Sequence, residues 1–172
     1  MITFFEDEDS GYRNRTEVNV KEADITIAFA VDYTTSGEYL TKNFTLKHSK
    51  PYYAFPLRSD NFEKNVQEVL SIIKDNNCRK INVAGNGIFT LTKYGISQEE
   101  CDDYIFHALK AIVQDTNIEV IRSGGQTGAD ESGLKAALKL KIEGISYCPK
   151  GWKIRTATET ICDENFYKLR FL

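Results

Sequence analysis

Short apolar runs alternate along the chain with longer segments whose apolar residues recur at helical spacing. The runs are rich in β-branched and aromatic residues, which is typical of strands that are buried on both faces. They cover residues 25–31, 52–57, 81–84, 118–121 and 145–148. This alternation predicts an α/β fold, with a Rossmann-like, doubly wound, mostly parallel sheet and helices on both faces.

The segments between the runs predict amphipathic helices. The stripe between the second and third runs has Ser59 or Asp60 available as its N-cap, and its members are Phe62, Val66, Val69, Leu70 and Ile73. A second stripe covers residues 101–113, and Ser97 with Glu100 three positions later predicts a capping box at its start. Residues 37–48 form a weaker helical pattern, and another helix follows residue 128. No repeat or linker interrupts the pattern, so we expect one domain over residues 1–172.

A glycine-rich segment at residues 123–130 joins the fourth apolar run to the helix that follows it. It reads Ser123, Gly124, Gly125, Gln126, Thr127, Gly128, Ala129, Asp130. Glycines let the backbone turn sharply and approach a ligand, and a helix start offers unpaired N–H groups, so this loop is a candidate phosphate cradle. Its spacing matches neither the dinucleotide fingerprint nor the Walker pattern. The alternative is a turn that only permits close packing.

Ligands of open parallel sheets bind outside the carboxyl ends of the strands, which brings the other loops into the candidate site. Polar or glycine-bearing positions follow several runs, namely Thr35, Ser36 and Gly37, then Gly85 and Asn86, and finally Lys150, Lys153 and Arg155. Together they suit a phosphorylated ligand. The alternatives are helix capping for the hydroxyl cluster and a solvated surface for the cations.

Composition narrows the function classes. The chain is 41% hydrophobic and 27% charged, and its net charge of −3 comes without a basic block, which disfavours a nucleic-acid partner. No apolar run has membrane-spanning length, and the first residues lack the pattern of a signal peptide, so we expect a cytoplasmic protein without membrane association. The four cysteines form no C-x-x-C pair, so we expect no metal site, and Cys101 is expected in the core.

Residues 123–130 and the Cys-Pro-Lys-Gly-Trp segment at 148–152 resemble the molybdenum-cofactor carrier-like family. That family lies within the Rossmann-like superfamily of nucleotide-ligand sensors and lysine-decarboxylase-like proteins. Further similar blocks occupy residues 12–24, 35–51 and 81–86. The resemblance implies a nucleotide-binding or pterin-binding domain that forms a homo-oligomer.

The order of these blocks differs from that of the relatives, in which the glycine-rich strand opens the chain. Here it lies near the C-terminus, so the chain resembles a circular permutant, and we expect the acidic start and residues 166–172 to be neighbours. The sequence also departs from the family at Ser36-Gly37-Glu38, where relatives have Gly-Gly-Thr, and at Val18, where they have Trp. Glu38 would repel an anion at that helix start unless it turns away or contacts a ribose hydroxyl.

Three functions remain open. The first is binding of a phosphorylated nucleotide-derived or pterin-type molecule by a carrier, sensor or sequestering protein. In it the amides of residues 124–128 hold phosphate, Gln126 and Thr127 add side-chain contacts, and Asp130 and Glu38 accept hydrogen bonds. Arg15, Lys150 and Arg155 are the candidate counter-charges. No cofactor is certain; a nucleotide-derived ligand and the molybdenum cofactor are the candidates.

The second function is a nucleotide phosphoribohydrolase or another N-glycosidase. Its candidate catalytic carboxylates are Glu38, Asp130 and Glu131, although carboxylates at helix starts also favour the helix dipole. The third is a protein-interaction module with a vestigial pocket, acting through aromatic residues near the termini. Those residues are Phe4, Phe5, Phe166, Tyr167 and Phe171.

Overall fold

A six-stranded parallel sheet forms the centre of the computed structural model, which describes residues 1–172. Its strands are β1 (Ile2–Glu6), β2 (Ile25–Ala30), β3 (Tyr52–Pro56), β4 (Lys80–Gly85), β5 (Val120–Ser123) and β6 (Glu143–Cys148). They lie in the order β1-β6-β5-β4-β2-β3, and every neighbouring pair is parallel. The predicted α/β class is confirmed. The edge strand β1 was not predicted from the sequence.

Seven helices connect and cover the strands. They are α1 (Arg13–Glu22), α2 (Ser36–Lys47), α3 (Phe62–Asp75), α4 (Ile88–Lys93), α5 (Gln98–Gln114), α6 (Ala129–Leu140) and α7 (Glu164–Leu169). The predicted capping box of α5 is present. The predicted cap of α3 is wrong: the helix begins after Asn61, and the Ser59 hydroxyl instead accepts hydrogen bonds from the Asn61 amide and the Asn65 side chain.

The two faces of the sheet differ in the size and polarity of their side chains. Large apolar residues of the central strands, such as Ile27 and Phe29, pack against α3, α5 and α6 in one core. On the opposite face, β2 and β4 present small or polar residues beneath α1 and α2, and the Asn82 side chain donates to Thr26 Oγ1 at 3.1 Å. Small side chains on this face leave room for a cleft between α1, α2 and the glycine-rich loop.

A second, smaller core joins the two chain ends. A short 3₁₀ turn (Lys150–Trp152) leads into the antiparallel hairpin β7 (Lys153–Arg155) and β8 (Thr160–Cys162), and then into α7. The Phe4 ring of β1 lies 6.2 Å from the Tyr167 ring and 5.9 Å from the Phe171 ring, between centroids. The start of the chain is therefore adjacent to residues 166–172, as the permuted order of motifs predicts.

Candidate functional site

Three adjoining recesses form one cleft at the carboxyl ends of the strands. Their volumes are about 120, 320 and 430 Å³, and Tyr12 and Gln126 line all three. The smallest lies over Asn82 and Gly85 on the sheet, and the largest reaches the N-terminus of α2. The size of the cleft suits a small-molecule ligand.

The glycine-rich loop, residues 123–130, contributes a mixed set of backbone donors. The Gly128 N–H donates to Gln98 Oε1 at 2.6 Å, and the Gly125 and Gln126 N–H groups make long contacts with Ser123 Oγ and Asp130 Oδ2. The amides of Gly124, Thr127 and Asp130 have no protein partner. The loop therefore offers three free donors, fewer than its glycine content suggests.

Two arginine side chains and a tyrosine hydroxyl bind backbone carbonyls of the loop. The Gly124 carbonyl accepts from Arg15 Nη1 and from the Tyr167 hydroxyl, both at 3.2 Å, and Arg170 Nη2 donates to the Gly125 carbonyl at 2.9 Å. Gly125 has a φ of +67°, and a Cβ there would lie 2.0 Å from the Tyr167 hydroxyl oxygen. Because the carbonyls point into the protein, the backbone is fixed before any ligand arrives.

Gln126 and Thr127 connect the loop to β7. Gln126 Nε2 donates to the Lys153 carbonyl at 2.8 Å, its Oε1 accepts from the Arg155 amide at 3.3 Å, and the Thr127 hydroxyl donates to the Arg155 carbonyl. In this structure both side chains are engaged with the hairpin backbone. They position two cation-bearing residues beside the loop.

One end of the cleft is cationic. Arg15, Lys153 and Arg155 line the same recess, and the Lys153 and Arg155 side chains have no hydrogen-bond or ion-pair partner. Lys150 is exposed and lines none of the three recesses. The structure thus brings Arg15 and Arg155 together and leaves Lys150 outside.

The other end of the cleft contains a buried carboxyl group. Glu38 is 4% exposed and lines the largest recess, where its Oε1 has only a 3.5 Å contact with Asn86 Nδ2 and its Oε2 has no partner. Burial, followed by the negative charges of Asp130 and Asp32, raises the pKa of Glu38 to about 8. At neutral pH this carboxyl is therefore mostly protonated.

Asn86 holds the loop after β2 against the loop after β4. Its Oδ1 accepts from the Val31 and Asp32 amides at 2.8 and 3.0 Å, and its Nδ2 donates to the Asp32 carbonyl at 2.9 Å. The Asn86 carbonyl also accepts from the Ala129 amide, at the start of α6. This side chain fixes the geometry between the two sides of the cleft.

Asp130 lies between the cationic and acidic ends. Its Oδ2 would be 2.6 Å from a Cβ at Gly124, so it lies directly beside the loop. Burial raises its pKa to about 6, although the charge of Arg15 and the hydrogen bond from the Gln126 amide act in the opposite direction. The two cleft carboxyls thus differ in protonation near neutral pH.

Comparison with known families agrees with the permuted arrangement. The family model described as the circularly permutated YpsA SLOG family matches residues 3–94 and 121–170. The chain belongs to the circularly permutated YpsA SLOG family. A comparison with curated proteins found no significant match. This match supports the prediction, made from the motifs, of a circularly permuted Rossmann-like family. The molybdenum cofactor as ligand stays a hypothesis.

In this SLOG-family chain, some predicted site residues stabilise the fold and others line the cleft. Glu131 is buried and paired with Lys135 and Arg170 on the side of α6 away from the recesses, so it stabilises the fold. Thr35 caps α2 through its contact with the Glu38 amide, while Ser36 and Gly37 line the cleft. Ser123, the first residue of the loop, is fully buried.

Sequence reasoning did not assign a site role to several cleft residues. Tyr12 and Phe89 are 53% and 62% exposed and line the largest recess. Tyr12 is the first residue of the family-like block at residues 12–24, in which only Arg15 is a candidate site residue. Phe89 lies on α4, whose six residues are too few to show a periodic pattern. Asn82 is a polar residue within an apolar strand, and this pattern in the sequence indicates that one face of the sheet lies beneath a cleft.

The remaining findings concern membrane-spanning helices, metal-ligand groups and cysteines. No helix is both long enough and apolar enough to span a membrane. No group of three or more His, Cys, Asp or Glu side chains is arranged to hold a metal ion. Cys78, Cys101 and Cys148 are buried and Cys162 is exposed, and none forms a disulfide. The core position expected for Cys101 is confirmed.

Proposed function

We propose that this protein binds a phosphorylated, nucleotide-derived small molecule in the cleft at the carboxyl ends of its strands. The observation that carries this proposal is the polarity of the cleft. Arg15 and the unpaired Lys153 line the recess at one end, and Glu38 and the exposed Phe89 ring line the recess at the other. The unpaired Arg155 and the exposed Tyr12 ring line both recesses. A nucleotide has the same division into an anionic end and an aromatic, uncharged end.

Membership in the family is compatible with this function without fixing the ligand. A pterin-type molecule such as the molybdenum cofactor has a similar division, and it stays a candidate to be tested beside nucleotides. Cytoplasmic location and homo-oligomerisation also stay predictions.

Calorimetric titration with the four 5′-mononucleotides, ADP-ribose, a cyclic nucleotide and molybdopterin tests the proposal. We expect saturable binding of at least one of them, with Kd in roughly the micromolar range. Arg155→Gln should weaken that binding about tenfold, since a charge-assisted hydrogen bond contributes roughly 1.5 kcal/mol. Lys150→Gln removes the same charge outside the cleft and should leave the affinity unchanged. Equal effects of the two variants, or no binding of any compound, would contradict the proposal.

N-glycosidase activity is a second candidate function, and the two cleft carboxyls favour it. Glu38, with a pKa of about 8, has the protonation of a general acid at neutral pH, and Asp130, with a pKa of about 6, has that of a base or of a partner for an oxocarbenium-like centre. Incubation of each mononucleotide with the protein, followed by chromatography, would detect released base. We expect Asp130→Asn to abolish any release, and a wild type that releases no base performs binding alone.

A further inference from the structure

The unpartnered Oε2 of Glu38 is the strongest unexplained feature of the cleft. Buried polar atoms normally have a hydrogen-bond partner, and an orphaned carboxyl oxygen costs free energy that a ligand contact can recover. Glu38 occupies the third position of α2, where a capping-box glutamate turns back to the N-cap amide. Here its side chain turns instead toward Asn86 and the largest recess.

The surroundings of Glu38 contain acidic, phenolic and neutral groups, and no cation is paired with it. Asp32 faces it from the loop after β2, Asp130 from α6, and the Tyr33 and Tyr52 phenols from the β2 and β3 side. The exposed rings of Tyr12 and Phe89 line the same recess, and Arg155 lines both this recess and the cationic one. The part of the recess around Glu38 therefore suits an uncharged, flat group better than an anion.

We propose that Glu38 is a specificity-determining residue whose Oε2 donates a hydrogen bond to an acceptor atom of the ligand's base. The inference rests on the proposed nucleotide-binding function and assigns the orientation of the ligand. The phosphoryl group lies toward Arg15, Lys153 and Arg155, and the base lies toward α2 in the recess that Phe89 and Tyr12 line. Ring nitrogens and carbonyl oxygens of nucleobases are suitable acceptors.

The opposite orientation is the rival interpretation, since the Ser36 and Gly37 amides at the start of α2 also have no partner. A phosphoryl group bound there would lie beside Glu38. In both orientations, ionisation of Glu38 weakens nucleotide binding at high pH. A nucleoside without phosphate separates the two, because only a contact with the base makes its affinity depend on Glu38.

The experiment measures Kd by calorimetry near pH 7 and pH 9 for the tightest-binding 5′-mononucleotide and for its nucleoside. Since ionisation of a group with a pKa of about 8 removes the donor, the wild-type affinity for both compounds should fall about tenfold between these pH values. Glu38→Gln is the matched variant, because its amide keeps a donor of similar shape that does not ionise. It should bind both compounds near pH 7 and change less than about twofold by pH 9.

The outcomes distinguish the inference from the function on which it rests. Nucleotide affinity that does not change with pH, or that falls equally in Glu38→Gln, overturns the role of Glu38 alone. A nucleoside affinity that is undetectable or independent of pH overturns the base contact and favours the opposite orientation. If neither protein binds any mononucleotide, the proposed function falls together with this inference.

Discussion

Glu38→Gln should change how the stability of the free protein depends on pH. The raised pKa means that the folded protein binds a proton at Glu38 that the unfolded chain releases, between the usual 4.5 and about 8. The contribution of Glu38 to the free energy of unfolding of the wild type should therefore be greatest below pH 4.5. It should decline as the pH rises to about 8 and stay low above that value.

The magnitude follows from the size of the shift. A pKa raised from 4.5 to about 8 corresponds to a loss of up to about 5 kcal/mol, at about 1.36 kcal/mol per pH unit. Glutamine does not ionise, so Glu38→Gln should lose none of this free energy, and its advantage over the wild type should grow with pH. The assay is urea unfolding followed by circular dichroism at intervals from about pH 5 to pH 9.

Glu63→Gln, at an exposed position of α3, controls for the loss of a carboxylate. Its free energy of unfolding should change with pH in the same way as that of the wild type. The reasoning is refuted if the difference between Glu38→Gln and the wild type stays constant within about 1 kcal/mol over this range. That result would mean that Glu38 is ionised in the folded protein at neutral pH.

Other positions give separate tests. A Cβ at Gly37 meets no atom within 4 Å, so Gly37→Ala should stabilise the protein by about 0.5 kcal/mol, which thermal unfolding would measure. Gly37→Leu should fold and block nucleotide binding, which calorimetry would measure. Glu131→Gln should cost about 3 kcal/mol in urea unfolding, because Lys135 and Arg170 lose their buried partner, and a mild effect would contradict its structural role. Asn86→Ala should lower the free energy of unfolding by a similar amount, roughly 3 kcal/mol, because the half-buried Val31 and Asp32 amides lose their partner; an unchanged urea midpoint would contradict that.

The sheet and its main helices could be predicted because their signals are local. The apolar run at 25–31 is β2, and the stripe that starts at Phe62 is α3. The capping box at Ser97 needs only residues three positions apart. In contrast, β1 is a five-residue edge strand in which half-buried Ile2 and Phe4 alternate with exposed residues, and such a short alternation is a weak signal.

The site could be predicted only as a set of loops. Side-chain partners depend on tertiary contacts, and the hydrogen bonds of Gln126 to β7 join residues that lie 27 and 29 positions apart. The same limit applies to Glu131, whose partner Arg170 lies 39 positions away. Glu38 was recognised as a departure from the resembling family, but its missing partner and its protonation follow from burial, which the sequence does not contain.

Native mass spectrometry of the wild type and Gly37→Leu, titrated with the four 5′-mononucleotides, tests the central claim most directly. We predict that the wild type gains the mass of one nucleotide per chain at roughly micromolar concentrations, and that Gly37→Leu, with its side chain in the cleft, does not. No added mass for any of the four, or equal uptake by both proteins, would contradict nucleotide binding in this cleft.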